Sequence, residues 1–346
     1  MYFAVGFQLF TGPSHADPRS VWCGTPDGLA GRWAPILDRC PEPMPEEKLH
    51  GFLVLDKPKG MTSREAVNCV QDWFPGSRPG HAGTLDPLAT GVLVVGLGKA
   101  TRLLEYVQNM PKVYRATIRL GARSATDDAE GPITPTPDVL PVSADTVQTI
   151  LTSFVGDIEQ VPPAVSAVKV EGRRAWKAAR RQQQVELAPR RVVIYRLDLL
   201  SYAWPNLEIE VECGRGTYIR SLARDLGEKL GCGAYVEKLR RLRIGPFRVE
   251  DALPLTVSPD EAEAALRPLS DALVQLPRLV LPDADRIHRL CQGQRLLLPQ
   301  DYDQLTAPLP SDTEVAVFDN SNHLIGIAHW HSPSRQLAPV KILEPQ

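Results

Sequence analysis

An α+β fold ending in a small all-β unit is what the sequence predicts, and three patterns predict it. Residues 113–120 and 207–213 alternate polar and apolar with the period of two that makes a half-buried strand. Residues 62–74 and 217–226 instead space their apolar side chains as a helix does, behind helix-start signals. Near the C-terminus, residues 315–318 and 324–330 flank Asp319-Asn320-Ser321-Asn322 and read as a hairpin, with residues 340–343 as a further strand. No internal repeat is found.

Taken in order, residues 1–48 hold Pro13, Pro18, Pro26, Pro35, Pro41, Pro43 and Pro45 without apolar periodicity, and are expected to be a disordered extension. Met44 lies just before the first strand and is an expected alternative start. Residues 51–55 form a buried strand that ends in a turn at 56–60. Thr62 and Glu65 then make a capping box for a helix carrying Ala66, Val67, Val70, Trp73 and Phe74, which Pro75-Gly76 stops. Residues 92–95 are an unbroken apolar run between Gly91 and Gly96, hence a buried strand, and residues 101–108 a short helix. Alternation from 113 to 120 points Tyr114, Ala116, Ile118 and Leu120 to one side, towards a core or a cleft. Residues 123–137 read as a Gly/Pro/Asp-rich loop and 143–155 as a helix. The strand at 207–213 has one apolar and one acidic face and ends in Gly214-Arg215-Gly216. A helix starting near Thr217 puts Arg220 in its first turn, against that strand end.

The chain has 346 residues, enough for one large core and a smaller module, with an ordinary 43% hydrophobic and 23% charged composition. Six cysteines without a CxxC pair argue against a zinc ribbon or disulfide framework and suit a reducing cytoplasm. No run of about 18 apolar residues is present, so no membrane span is expected. Residues 1–9 lack the basic start and apolar length of a signal peptide. The net charge of −2 hides an uneven distribution: cations crowd residues 169–196 and 215–248, and acids follow from Glu250 to Glu263. Two basic runs flanking one strand segment suggest a phosphate-binding surface. His323, His329 and His331 have no acid or cysteine completing a metal set and read as strand surface. Gly96-Leu97-Gly98-Lys99 lacks the earlier glycine and following Ser/Thr of a P-loop.

Residues 80–91 read Gly-His-Ala-Gly-Thr-Leu-Asp-Pro-Leu-Ala-Thr-Gly. Pro87 keeps Asp86 out of any regular helix, so its carboxylate either caps a turn or stands ready for chemistry at the mouth of a buried strand. The run resembles the active-site motif of the TruB family of pseudouridine synthases. Three more segments match the same family in the same order: Leu55-Asp56-Lys57-Pro58-Lys59-Gly60-Met61-Thr62-Ser63, Lys112-Val113-Tyr114-Arg115, and Cys213-Gly214-Arg215-Gly216-Thr217-Tyr218-Ile219-Arg220. Residues 163–169 and 172–180 resemble its RNA-gripping loop, with Trp176 where the family usually has tyrosine. The match spans residue 49 to about residue 250 and extends weakly to the end.

The resemblance implies a pseudouridine synthase fold with a mixed, largely antiparallel central sheet flanked by helices. It divides the chain into a catalytic domain at 49–270, with a basic RNA-gripping segment at 158–190, and a PUA-like RNA-binding domain at 277–346. It further implies that uridine at position 55 in the tRNA T-loop is flipped out, detached, rotated and rejoined through C5. Asp86, anionic at neutral pH because a free aspartate has a pKa of about 3.9, would be nucleophile or base, at the ribose or the uracil ring. Arg220 would pair with it and keep it ionised. Tyr114 would stack on the base, worth roughly 1–3 kcal/mol, and its hydroxyl could take part in removing the C5 proton; a plain core tyrosine is the rival reading. His81 would fill the space the base leaves, contact the loop backbone, or steady the turn. Lys57 and Tyr218 would shape the pocket and Leu239 wall it. Arg173, Arg174, Lys177 and Arg180 would hold phosphates. Neither metal nor organic cofactor is implied, and the partner is the T-arm stem-loop of tRNA, bound by a monomer with no obligatory protein partner. Three other functions compete: a guide-RNA-dependent synthase, a tRNA-folding chaperone with secondary catalysis, and an aspartyl-phosphate enzyme using Asp86 and Thr90. The last wants a magnesium-binding acidic cluster that the sequence does not offer. The basic segment at 166–180 favours a stand-alone enzyme over the guided one.

Overall fold

The computed structural model describes residues 49–164, 169–170, 173–174, 187–299 and 312–343. The proline-rich extension, Lys177 and Arg180 lie outside the described residues, as do the side chains of Arg173 and Arg174.

Strand β1 (Gly51–Lys57) is apolar on both faces, and Phe52, Leu53, Val54 and Leu55 are all buried. It runs two residues into the expected turn, so Asp56 and Lys57 belong to the strand. The capping box forms: Glu65 N–H donates to the Thr62 hydroxyl, and Thr62 N–H donates to the Glu65 carboxylate at 2.7 Å. Such a cap contributes about 1 kcal/mol. Helix α1 (Ser63–Trp73) then lays Ala66, Val67 and Val70 on Leu53, Leu55 and Leu93. Next come β2 (Gly80–His81), β3 (Thr90–Leu97), α2 (Leu104–Asn109) and β4 (Lys112–Leu120). The stretch expected as a loop at 123–137 contains an antiparallel hairpin of β5 (Ala122–Ser124) and β6 (Ile133–Pro135). Inside it Asp127 adopts a left-handed φ of 60°, which aspartate tolerates better than most residues.

Helix α3 (Ala144–Thr152) leads to β7 (Gly156–Gln160), and a two-residue ladder pairs β8 (Lys169–Val170) with β9 (Arg173–Arg174). The long strands β10 (Arg190–Ala203) and β11 (Asn206–Cys213) precede α4 (Ile219–Lys229), β12 (Ala234–Ile244) and β13 (Phe247–Arg248). The main path of the sheet is β1-β3-β12-β4-β11-β10-β7, with β2 beside β3 and β13 beside β12. Every pairing is antiparallel except β12 with β3, so the sheet is mixed and largely antiparallel as expected. Apolar residues of α3 and α4 pack with those of β4, β11 and β12 in the largest core.

A second sheet of five strands, β14 (Arg278–Val280), β15 (Leu296–Leu297), β16 (Thr313–Phe318), β17 (Leu324–His331) and β18 (Gln336–Ile342), lies at the C-terminal end in the order β14-β16-β17-β18-β15. The β16–β17 pair is the expected hairpin. The unit is not all-β, because α5 (Ala284–Cys291) starts at an Asp283 cap and buries Leu290 against the sheet. Ala316, Phe318, Ile327 and Leu343 share one apolar cluster with Phe52, Val94, Met110 and Phe247, so the two sheets are joined through a common core. No helix among the described residues is long and apolar enough to cross a membrane.

Candidate active site

Between β2 and β3 the chain makes the loop that carries Asp86, and the first sequence motif braces it. Ser63 Oγ accepts the Leu85 N–H at 2.8 Å and donates to the Leu85 carbonyl at 3.0 Å. Lys57 Nζ donates to the carbonyls of Met61 at 2.7 Å and Pro58 at 2.8 Å, and Gly60 N–H donates to the Pro87 carbonyl at 2.8 Å. Both residues flanking Asp86 are thus tied to residues 57–63, which leaves its side chain no freedom to follow a moving loop. Burial lowers the Lys57 ammonium to about 8, an effect that nearby Asp86 opposes.

Arg220, in the first turn of α4, meets this loop from the opposite side. Its Nε stands 3.0 Å from Asp86 Oδ2 and its Nη1 3.3 Å from Asp128 Oδ2, while Nη1 also donates to the Thr126 carbonyl at 3.1 Å. One guanidinium, its side chain 5% exposed, therefore bridges two carboxylates. Asp128 is itself held by the Thr126 hydroxyl and the Glu130 N–H. Burial pushes the Asp86 carboxyl above its usual range and Asp128 adds to the push, whereas Arg220 and Lys57 pull it back. If Asp86 acts as an anion, with its pKa raised in the folded protein, activity is lost as pH falls through that raised value. The single-turnover rate is accordingly expected to show an acid limb above the free-aspartate value of about 3.9. A flat profile down to that value, measured with the fold intact, would contradict the assignment.

Asp86 opens onto a cavity of about 800 Å³ lined also by Tyr114, Tyr218, Leu239, Thr217 and Ile219. Tyr114 is buried in β4, and burial raises its phenol above the ordinary value, so it stays protonated. Tyr218 is fixed by Gln160, which donates to its carbonyl at 3.0 Å and accepts its N–H at 2.8 Å. Lys112, Arg190, Arg215, Arg220 and Arg241 bring positive charge to the lining, and Asp86 is its one carboxylate among the described residues. Such a pocket suits a planar group on a polyanionic chain.

The structure gathers Asp86, Tyr114, Arg220, Tyr218 and Leu239 around one cavity and leaves two expected residues outside its lining. Lys57 lies fully buried beneath the loop and acts on it from below. His81 sits half-buried in β2, opposite Val95, where burial lowers its imidazole below the ordinary value. Three residues were not foreseen. Asp128 falls in the stretch that reads as a Gly/Pro/Asp-rich loop, where no pattern marks it. Lys112, whose Nζ donates to the carbonyls of Gln108 and Met110, was visible only as a neighbour of Tyr114. Arg241 was counted into a basic run, although its spacing of two from Leu239 put both on one strand face.

Comparison with known proteins gives the fold and the class of the protein as those of a pseudouridine synthase. The chain belongs to the TruB family. The model of the TruB family pseudouridylate synthase N-terminal domain matches residues 72–219, and that of the tRNA pseudouridylate synthase B C-terminal domain matches residues 220–282. A tRNA pseudouridine synthase B of Syntrophotalea carbinolica is 43% identical over 250 residues, covering 71% of this chain and 81% of the relative. Its namesake from Prochlorococcus marinus is 38% identical over 304 residues, covering 84% and 96%. A crystal structure of a Cbf5-Nop10-Gar1 complex contains a chain of similar fold, with a TM-score of 0.66, 25% identity and 85% of each chain covered.

Proposed function

We propose that the protein isomerises uridine to pseudouridine at position 55, in the T-loop of tRNA, and that it works as a cytoplasmic monomer without guide RNA or protein partner. The observation that carries the chemistry is Asp86 held at 3.0 Å by Arg220 in a cavity walled by Tyr114. The choice of tRNA rests on the relatives' common name, tRNA pseudouridine synthase B. Extruding the uridine costs a few kcal/mol, which stacking on Tyr114 and contacts with Tyr218 and Leu239 offset. The Asp86 carboxylate then acts at the ribose or the ring. The N1–C1′ bond breaks, the detached uracil turns, C5 bonds to C1′, and the C5 proton leaves as N1 regains one, so the conversion is a true isomerisation. Arg190 and Arg215 at the cavity would meet phosphates of the same strand. Arg173, Arg174, Lys177 and Arg180 in the basic segment at 158–190, together with a PUA-like unit at 277–346, would hold the rest of the T-arm.

A guide-RNA-dependent reading has one observation in its favour, the likeness in fold to the Cbf5-containing complex. Incubating the full-length protein with a bare tRNA transcript separates the two. Pseudouridine in the T-loop without added guide RNA is the expected result; product that required a guide RNA would favour the alternative.

A further inference from the structure

We propose that Arg241 is a positioning residue for this reaction, holding Tyr114 in place beside the loop that carries Asp86. The inference rests on the pseudouridine synthase reading above and adds to it a part that no catalytic motif in the chain names.

Strand β12 lies between β3 and β4, and Arg241 is the residue in register with Gly91 on one side and Tyr114 on the other. A register shift between Arg241 and Arg243 marks a bulge in the pairing with β4, a device that re-aims side chains next to sites. The backbones meet closely here: a Cβ on Gly91, whose φ is +96°, would stand 2.2 Å from the Arg241 carbonyl oxygen. Arg241 is thereby fixed at its root.

Its side chain is 1% exposed yet charged. Nε donates to the Val92 carbonyl at 2.7 Å and Nη2 donates to the Gly83 carbonyl at 3.0 Å, and the residue shares the cavity wall with Tyr114, its partner across the β12–β4 pairing. Gly83 lies in the loop of Asp86, and Val92 in the strand that follows it. One planar group therefore joins the reacting loop to the strand behind it, beside the base-stacking residue. Among the described residues no carboxylate forms an ion pair with it. A buried charge met only by neutral acceptors is an expensive way to fill space, and apolar side chains of similar volume usually serve a core better. What arginine supplies and lysine or methionine cannot is a rigid fork with donors in several fixed directions. Arg241 also lines the cavity, so a misplaced guanidinium would let both Tyr114 and Asp86 drift from a bound base.

The test compares Arg241→Lys and Arg241→Met with wild type in single turnover on a T-arm stem-loop RNA, alongside RNA affinity and thermal unfolding. Pseudouridine formation by wild type tests the underlying reading on its own. Given an active wild type, the Arg241→Lys rate is expected to fall about 100-fold, the scale of a small misplacement of reacting groups, while Kd stays within about 3-fold. In a Tyr114→Leu background the same change should cost less than about 5-fold, because the ring it positions is already gone. An unchanged rate, full additivity with Tyr114→Leu, or a rate loss matched by an equal loss of affinity would each overturn the proposal. If Arg241→Met does not fold, the Arg241→Lys cycle still decides.

Discussion

Replacing Asp86 by asparagine should abolish pseudouridine formation while leaving the folded protein and its RNA affinity in place. The side chains are nearly the same size, and the backbone on either side is anchored by Ser63 at Leu85 and by Gly60 at Pro87, so the loop has no reason to move. Arg220 keeps Asp128 as an ionic partner, so no buried cation is stranded. What disappears is the one carboxylate facing the cavity among the described residues. The expected loss is at least about 10⁴-fold in single-turnover rate, the scale seen when the group that reacts is removed, with T-arm RNA affinity within about 3-fold. Release of tritium from C5 of labelled uridine measures the first and filter binding the second. A variant that fell equally in both would place Asp86 in RNA binding.

Arg220→Met should cost stability as well as activity. It leaves Asp128, whose side chain is 3% exposed, without its ionic partner, and releases Asp86 from its position. Breaking a buried pair by removing one member typically costs about 3–5 kcal/mol because the remaining charge stays buried. Urea unfolding should read that loss. Adding Asp128→Asn removes the stranded charge, so the double variant should regain much of the stability and none of the turnover. Recovered turnover would mean that Arg220 matters only as a partner for Asp128. An unchanged unfolding midpoint in Arg220→Met would mean that the bridge contributes little.

What local pattern could reveal, it revealed. The capping box at Thr62 and Glu65, the alternating strands of β4 and β11 and the β16–β17 hairpin each carry their full signal within a few residues, and each is present. Where the pattern is broken the element was missed. Strand β10 shifts register near Arg196 and Ser201 in its pairing with β11, and β12 does so twice against β4, so neither keeps a clean period of two. The β5–β6 hairpin has strands of three residues, too short to show any period, and with it Asp128 escaped notice. In β12 the cations Lys238, Arg240, Arg241 and Arg243 look like a solvated run, and only their burial separates Arg241 from the rest. The site shows the same division. Asp86, Tyr114 and Arg220 could each be set on a loop, a strand and a helix start, but alternation and caps carry no information about which elements become neighbours. That they converge follows from the order β3-β12-β4 and from α4 packing on the same face, long-range pairings that the family resemblance supplied and local grammar could not.

The central claim is that Asp86, held by Arg220, is the reacting group for a single flipped uridine. The most direct measurement is site-resolved mapping of pseudouridine on a T-arm stem-loop RNA treated with wild-type protein or with Asp86→Asn, at concentrations that saturate binding for both. One modified T-loop uridine with wild type and none with the variant is the predicted result. Pseudouridine at that uridine in the Asp86→Asn reaction would contradict it.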